Sequence, residues 1–450
     1  MSTVLAASTG LEFSAAQQAI VIVLCALTAY VSHSALAVFN DGTRPFMLDF
    51  VRGNSNRPAT AAVAFGLSAG FIFGLGAPLA LSTGVLNPWL LFLPTDVLGI
   101  LAPKKWLAPL LGGAWGALVV FGLGGANTAA HDLPVDFLTA MQQMSTPILY
   151  LFALFPVLAI TRQFGRLRGG IAAVVEFAFV IMTAKLWPSV FAGSFAMAAG
   201  VLMLIFFAVR KDLVQRRADR ALEAEAGPPD PALEAEDDPM ASLFSSSAQR
   251  LRRHLPLFML LGAGVCVLAQ THIFAGGEAT SFLIAKGHFS EAAQVDFYRV
   301  FGFIPLIATT ALASGAYGVA GFTFVYPLGY LMPNPYLAAV VGAVVLGLEV
   351  LALSWIGKVL GKLPSVRDSS EHLRGAITET LSLAILFGSL LAANVMGGGL
   401  GILVVGGLYL LNEAMGKPVV RMAAAPAAVI VGGILLNILY WLDLFTPVKS

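Results

Sequence analysis

Asp96-Val-Leu-Gly-Ile-Leu-Ala-Pro-Lys-Lys-Trp-Leu-Ala-Pro-Leu-Leu-Gly112 reappears in altered form as Tyr326-Pro-Leu-Gly-Tyr-Leu-Met-Pro-Asn-Pro-Tyr-Leu-Ala-Ala-Val-Val-Gly342, at a constant offset of 230 residues. Leu98/Leu328, Gly99/Gly329, Leu101/Leu331, Pro103/Pro333, Leu107/Leu337, Ala108/Ala338 and Gly112/Gly342 are identical. The first copy closes the apolar segment Leu90 to Pro103, which Pro94, Thr95 and Asp96 interrupt. In a membrane protein, two matching hydrophobic segments broken by Pro, Gly and polar residues point to a solute site between internal repeats.

The membrane setting follows from composition. The chain has 450 residues, of which 58% are hydrophobic and 11% charged, against roughly 25% charged in soluble domains. Apolar stretches of about 20 residues recur along it, each long enough as helix for a ~30 Å hydrocarbon core. The fold class is therefore an all-α polytopic membrane protein, with the lipid bilayer as its first partner. A net charge of +1, without a basic patch outside one linker, argues against a nucleic-acid partner. Cys25 and Cys266 both fall in apolar runs and read as inert packing residues. The six histidines have no ligand-like spacing, so neither a metal site nor a cofactor is read. The first apolar run, Ala19 to Phe39, exceeds a signal-peptide core and is taken as a retained span.

Apolar runs fall near 18–39, 59–84, 86–103, 104–125, 146–164, 168–186 and 190–209, and again near 255–275, 300–316, 317–333, 335–361, 373–395, 398–415 and 421–445. Residues 210–254 separate the two sets and hold 17 of the 51 charged side chains. They read as a solvated linker between an N-terminal transmembrane repeat, 1–209, and a C-terminal one, 255–450. Shorter matches keep the same order: Phe39-Asn-Asp-Gly42 faces Phe274-Ala-Gly-Gly277, Phe65-Gly66 faces Phe301-Gly302, and Leu133-Pro134 faces Leu363-Pro364. Basic clusters at both linker ends place it in the cytoplasm, and most other Lys and Arg then fall inside too. The exceptions are Lys185, Lys286, Arg299 and Lys449. Seven spans between an element and its partner invert the second copy. The expectation is two inverted repeats of about seven spans, both termini outside, each with a discontinuous third span. If the interrupted segments are re-entrant hairpins, about 12 spans remain.

A break inside the bilayer leaves backbone groups without helical partners, so it implies a polar cavity. Pro94 lacks the N–H of a continuous helix, and Thr95-Asp96 stands where an N-cap for Val97–Leu101 belongs. In the second copy Thr323, Tyr326 and Pro327 occupy the matching region, with Thr309 and Thr310 one helix earlier. Two half-helix termini would present converging dipoles to a solute. Asp96 is the leading candidate for solute binding or for a coupling proton or sodium, since a mid-bilayer carboxylate costs at least a few kcal/mol; its structural alternative is to cap its own half-helix. Glu349, Glu379 and Glu413 are further coupling-ion candidates, each also explicable as an ion-pair partner, as is Glu176 in the sixth run. Asn40-Asp-Gly-Thr-Arg-Pro45 is read as a turn. Gly397-Gly-Gly-Leu-Gly401 lacks the Lys-Ser/Thr of a phosphate loop and is also read as a turn.

Across Leu90-Leu-Phe-Leu-Pro-Thr-Asp-Val-Leu-Gly99, Pro305-Leu-Ile-Ala-Thr-Thr-Ala-Leu-Ala313, Val319-Ala-Gly-Phe-Thr-Phe-Val-Tyr326 and Asn412-Glu-Ala-Met-Gly-Lys-Pro-Val419, the chain resembles the YhfT family of bacterial inner-membrane proteins. The resemblance covers most of the chain except the linker, which is longer and more charged here. It implies a multi-pass protein of the bacterial inner membrane and a transporter class, with no ligand and no residue role. The layout of seven-span inverted repeats is also similar to that of nucleobase and anion carriers that work by elevator motion, and paired re-entrant segments are similar to those of phosphotransferase-type sugar permeases; one fold hosts many functions. The expected activity is secondary transport of a small polar or anionic metabolite, without enzymatic turnover. The alternatives are an integral-membrane enzyme such as a lipid-linked transferase, or a phosphotransferase-type permease-like subunit, and a homodimer is one candidate assembly.

Overall fold

The structure, a computed structural model, describes residues 11–51, 53–188, 191–226, 239–318 and 324–447. It is helical almost throughout. In chain order come α1 (Ala15–His33), the two-residue strand β1 (Ala37–Val38), α2 (Arg44–Val51), α3 (Arg57–Phe71), α4 (Ala77–Thr83), α5 (Pro88–Leu101), α6 (Leu107–His131), α7 (Phe137–Met141), α8 (Ser145–Phe152), α9 (Phe155–Phe164), α10 (Arg166–Leu186) and α11 (Gly193–Ala226). The second half has α12 (Pro239–Arg253), α13 (Leu255–Gln270), α14 (Glu278–Ala285), α15 (Phe289–Ser314), β2 (Tyr317–Gly318), α16 (Val325–Leu331), α17 (Pro335–Lys362), α18 (Pro364–Ala414) and α19 (Arg421–Trp441). Among the described residues eight helices are long and apolar enough to cross a membrane, nine if the bent pair Ser246–Arg253 and α13 forms one span. The chain is a membrane protein.

One packing arrangement occurs twice. α1 lies against α5 and α6, and α13 lies against α16 and α17. Glycines permit both approaches. A Cβ on Gly112 would collide with the Cys25 carbonyl and stand 2.6 Å from the Ala29 Cβ, while one on Gly342 would collide with the Gly262 carbonyl and the Cys266 Cβ. Gly99 and Gly329, also paired in the sequence motif, meet α1 at Ala29 and α13 at Cys266 and Ala269. Small residues at such crossings let backbones come close where lipid offers no competing hydrophobic force. Gly112→Val is therefore expected to cost more than the ~1–3 kcal/mol of ordinary overpacking, because backbone rather than a side chain must yield. Detergent-extracted variant should lose its monodisperse elution peak, whereas Gly122→Val, which meets only Leu118 Cδ1 at 3.9 Å, should keep it. Equal behaviour of the two would refute this account of the crossing.

The two halves meet at their non-helical segments. β1 pairs in parallel with β2, Ala37 opposite Tyr317 and Val38 opposite Gly318, with the Tyr317 N–H donating to the Leu36 carbonyl at 2.8 Å. Leu86 pairs with Phe274: its N–H donates to Ile273 at 2.7 Å, and Ala275 N–H donates back to Leu86 at 2.9 Å. The segment leaving each first helix thus pairs with the segment entering the other half's short helix. Extended backbone inside a bilayer must be satisfied by protein, and here each half satisfies the other. A row of rings follows the crossing, Phe39 to Phe92 at 4.3 Å, Phe92 to Phe274 at 5.7 Å and Phe274 to Tyr326 at 5.5 Å between centroids.

The sequence places an interruption at Pro94 and Thr95; in the structure that stretch is continuous helix, and the chain turns before it, at Gly84–Asn87. Gly84 adopts φ 72°, Asn87 accepts the Leu90 N–H as N-cap, and Pro88 opens an unbroken 14-residue helix. Asn and Pro at these positions favour a helix start. At ~1.5 Å per residue α5 is about 21 Å long, short of a ~30 Å core. Pro94 does not break it, because the carbonyl its missing N–H leaves open, Leu90, accepts the Trp115 indole N–H at 2.9 Å. Thr95 and Asp96 are accordingly mid-helix residues and not an N-cap. At the far end Arg57 donates to the Ile100 carbonyl, and the His33 ring lies 3.1 Å from the Gly99 carbonyl, complementing the negative helix end.

The remaining long helices form a second set. α18 packs on α7, α8, α9, α11 and α19 and also on α15 of the first set, and α10 packs on α9 and α11. The glycine run read as a turn is one: α18 breaks at Gly397 and Gly398, the latter at φ 54° and ψ −133°, a conformation open to glycine. Helix also reaches into the stretch read as a linker. Asp212, on α11, is buried and accepts the Ser365 N–H at 3.0 Å, capping α18. Arg250, on α12, donates to the carbonyls of Ser34 and Ala35 at the end of α1.

Candidate functional site

A cavity of about 210 Å³ opens where the crossed segments face the second helix set. Asn40 and Gly276 come from the segments after α1 and α13, Trp89 from the start of α5, Glu278 and Arg299 from α14 and α15, and Thr378 from α18. The cavity is therefore bounded by both helix sets. It is smaller than the ~300–1,000 Å³ of drug-sized pockets, which limits its occupant to a small solute.

Its charged wall is a buried cluster. Arg299, 14% exposed, lies 3.4 Å from Asp296 Oδ1 and 3.9 Å from Glu278 Oε2, and donates to the Gly276 carbonyl at 2.5 Å. Tyr330 on α16 donates to Asp296 Oδ2 at 2.8 Å and accepts the Gly276 N–H at 2.7 Å. Gly276 and Gly277 make this convergence possible: a Cβ on Gly277 would collide with the guanidinium, and one on Gly276 would stand 2.6 Å from Asp296 Oδ2. Both carboxyls are almost fully buried. Two acids and one base leave a surplus negative charge unless a proton or cation joins them, and an uncompensated buried charge costs several kcal/mol. Glu278 Oε1 has no hydrogen-bond partner among the described residues.

Asp96 stands just behind this wall. It is fully buried; Oδ1 accepts from Ser32 Oγ at 2.7 Å, and Oδ2 accepts the N–H groups of Phe39 at 2.7 Å and Asn40 at 2.9 Å. Its carboxylate thus holds the segment that leaves β1, and it reaches the cavity through Asn40. Thr95 lies 2.8 Å from the Thr28 hydroxyl, and Pro94 is buried inside α5. Tyr326 is buried against Phe274 and beside Gly276. Pro327 lines a separate groove of about 630 Å³ between α15, α16 and α17. Glu349 reaches the floor of that groove, accepting from the Tyr317 hydroxyl at 2.9 Å and the Phe324 N–H at 2.7 Å. It ties β2 to the start of α16, much as Asp96 ties the exit of β1.

The other candidates lie elsewhere. Glu379 is exposed and pairs with Arg162; Glu413 pairs with Arg421 at 2.8 Å and Lys417 at 3.7 Å, at the turn between α18 and α19. Thr309 and Thr310 belong to α15, but their side chains, like Thr323 as a whole, lie outside the described residues. Glu278, Asp296, Arg299 and Tyr330 escaped the sequence reading. One signal for them was present: Arg299 violates the positive-inside count, and an arginine inside a membrane segment needs a buried acid nearby.

The sequence profile of the YhfT family, described as a protein of unknown function, matches residues 17–445. The uncharacterized protein YhfT of Escherichia coli (strain K12) is 41% identical over 442 residues, covering 95% of this chain and 98% of the relative. No solved structure matches. A match of that extent runs through both helix sets and every residue of the charged wall, and the chain belongs to the YhfT family.

Proposed function

We propose that this protein is a secondary transporter of a small polar or anionic metabolite in the bacterial inner membrane, with its solute site in the cavity between the crossed segments and α18. The observation that carries the reading is the cavity itself: a small space within the membrane domain, between two helix sets, largely apolar but with the Arg299 guanidinium and the Glu278 carboxyl on its wall. Arg299 suits a carboxylate or other anionic group, and the start of α5 at Trp89 adds the positive end of a helix. We further read the doubled packing of α1–α5–α6 and α13–α16–α17 as two inverted seven-span repeats, in which extended segment plus short helix makes the third span and α18 supplies two spans. The first set then carries the solute and moves against the second in an elevator motion.

A thermal-shift screen of metabolites on the purified protein tests this, since a ligand at 100 times its Kd stabilises the folded state by about 2.7 kcal/mol. Hits should accumulate in proteoliposomes down an imposed gradient. Thr378→Trp is expected to abolish the shift and the uptake while leaving the unliganded Tm within a few degrees, because Thr378 is exposed at the cavity and the indole grows into space. A ligand shift that survives Thr378→Trp moves the site elsewhere. Chemical turnover of the hit in detergent, with no gradient, would replace the carrier by an enzyme.

A further inference from the structure

We propose that Glu278 is the proton-carrying group of this cavity, neutral while Asp296 and Arg299 form the fixed ion pair beside it. The inference deepens the transporter reading by naming its coupling ion, and it rests on that reading only for the word coupling; the protonation stands on the side chains alone. Of the two acids, Asp296 is the better-supported anion: it has the shorter approach to Arg299 and a hydroxyl donor in Tyr330. Each acid has one oxygen without a hydrogen-bond partner among the described residues, Glu278 Oε1 and Asp296 Oδ1, but Glu278 has the longer approach to Arg299, 3.9 Å, and no hydroxyl donor like Tyr330. It is also the acid that lines the cavity. Charge neutrality in the bilayer assigns the proton to the acid with less support.

The groups facing Glu278 make the assignment specific. Asp296 and Arg299 face it from α15, and Tyr326 and Tyr330 from α16. From α5, Asp96 stands behind Asn40, already bound to Phe39 and Asn40 N–H. α4 carries no titratable side chain, α8 has only the exposed Tyr150, and the cavity-lining turn of α18 has Glu379, which pairs outward with Arg162. No second cation therefore offsets Glu278 among the described residues. In the transfer step the carboxyl O–H bond breaks, the proton passes to cavity water or to a basic atom of the solute, and the carboxylate left behind is exposed to solvent; reprotonation restores the closed state.

Infrared difference spectroscopy on the full-length purified protein reads this without any solute. The wild type at neutral pH should have a protonated-carboxyl C=O band that shifts in D2O, fades as pH rises, and is lost in Glu278→Gln; the lost component should move with 13C-carboxyl glutamate and not with 13C-carboxyl aspartate, and Asp296→Asn should lose it too, because Glu278 then ionises against Arg299. The Glu176 carboxyl, without a hydrogen-bond partner among the described residues, supplies a background band that Glu278→Gln leaves in place. Glu278→Gln should also fold, since an amide replaces a neutral acid of the same shape. The proposal is overturned if Glu278→Gln removes no band, if the band it removes moves with labelled aspartate instead of labelled glutamate, if Glu278→Gln fails to fold, or if sodium replaces potassium at fixed pH and the band disappears. A blank metabolite screen with the band present would sink the transporter reading alone; ligand binding without the band would sink only the proton.

Discussion

Asp96→Ala is expected to prevent stable folding rather than to silence a folded protein. The carboxylate accepts two backbone N–H groups and one hydroxyl in a site with no solvent exposure. Each buried donor left without an acceptor costs about 1–3 kcal/mol, and the bonds lost are charge-assisted. The total of roughly 3–6 kcal/mol is comparable to the whole stability of many domains. Asp96→Asn should fall between, because one amide position accepts while the other turns a donor toward donors. Ser32→Ala, which removes one hydroxyl shared between Asp96 at 2.7 Å and the Ala37 carbonyl at 3.3 Å, serves as a mild control at about 1 kcal/mol. Thermal unfolding of detergent-purified variants orders these cases. If Asp96 instead bound solute or a coupling ion directly, Asp96→Asn would keep the wild-type Tm and lose only the ligand-induced shift.

That expectation differs from the one the residue types alone give, and the reason is geometric. Sequence locates an acid in an apolar run but not which backbone turns toward it. The offset of 230 was legible because glycines at helix crossings are constrained: Gly99, Gly112, Gly329 and Gly342 each meet backbone or Cβ atoms of a neighbouring helix. The place of the break was misread because proline was weighed as a helix breaker without its rescue, and Trp115 lies 25 residues from the Leu90 carbonyl it satisfies. Asn87-Pro88 held the correct signal, a cap followed by proline, and Asn334-Pro335 opens α17 in the same way. The cavity wall was hidden for another reason. Glu278, Asp296 and Arg299 are assembled by two glycines and a tyrosine from three different elements, and no short-range pattern brings those together.

Arg299→Gln is expected to be the most damaging change at the cavity, and its rescue is the more informative measurement. Removing the guanidinium leaves Asp296 buried beside the neutral Glu278 without its counter-charge, a loss of about 3–5 kcal/mol at neutral pH. Asp296→Asn alone is also harmful, since it leaves Arg299 short of its nearer partner. The double variant Asp296→Asn/Arg299→Gln removes both charges of the fixed pair and should recover stability over either single change, with a coupling energy of up to about 3 kcal/mol. Glu278→Gln/Arg299→Gln should recover less, because Asp296 stays unpaired. Acid should also help Arg299→Gln. Its folded state must hold protons on both carboxyls, whereas the unfolded chain releases them above about pH 4. The folded form then binds more protons, so stability falls as pH rises, by about 1.4 kcal/mol per pH unit for each proton. Wild type, with one such proton, should have the shallower slope. Equal slopes for wild type and Arg299→Gln, or no rescue by Asp296→Asn, would mean that the guanidinium does not serve as the counter-ion of this pair.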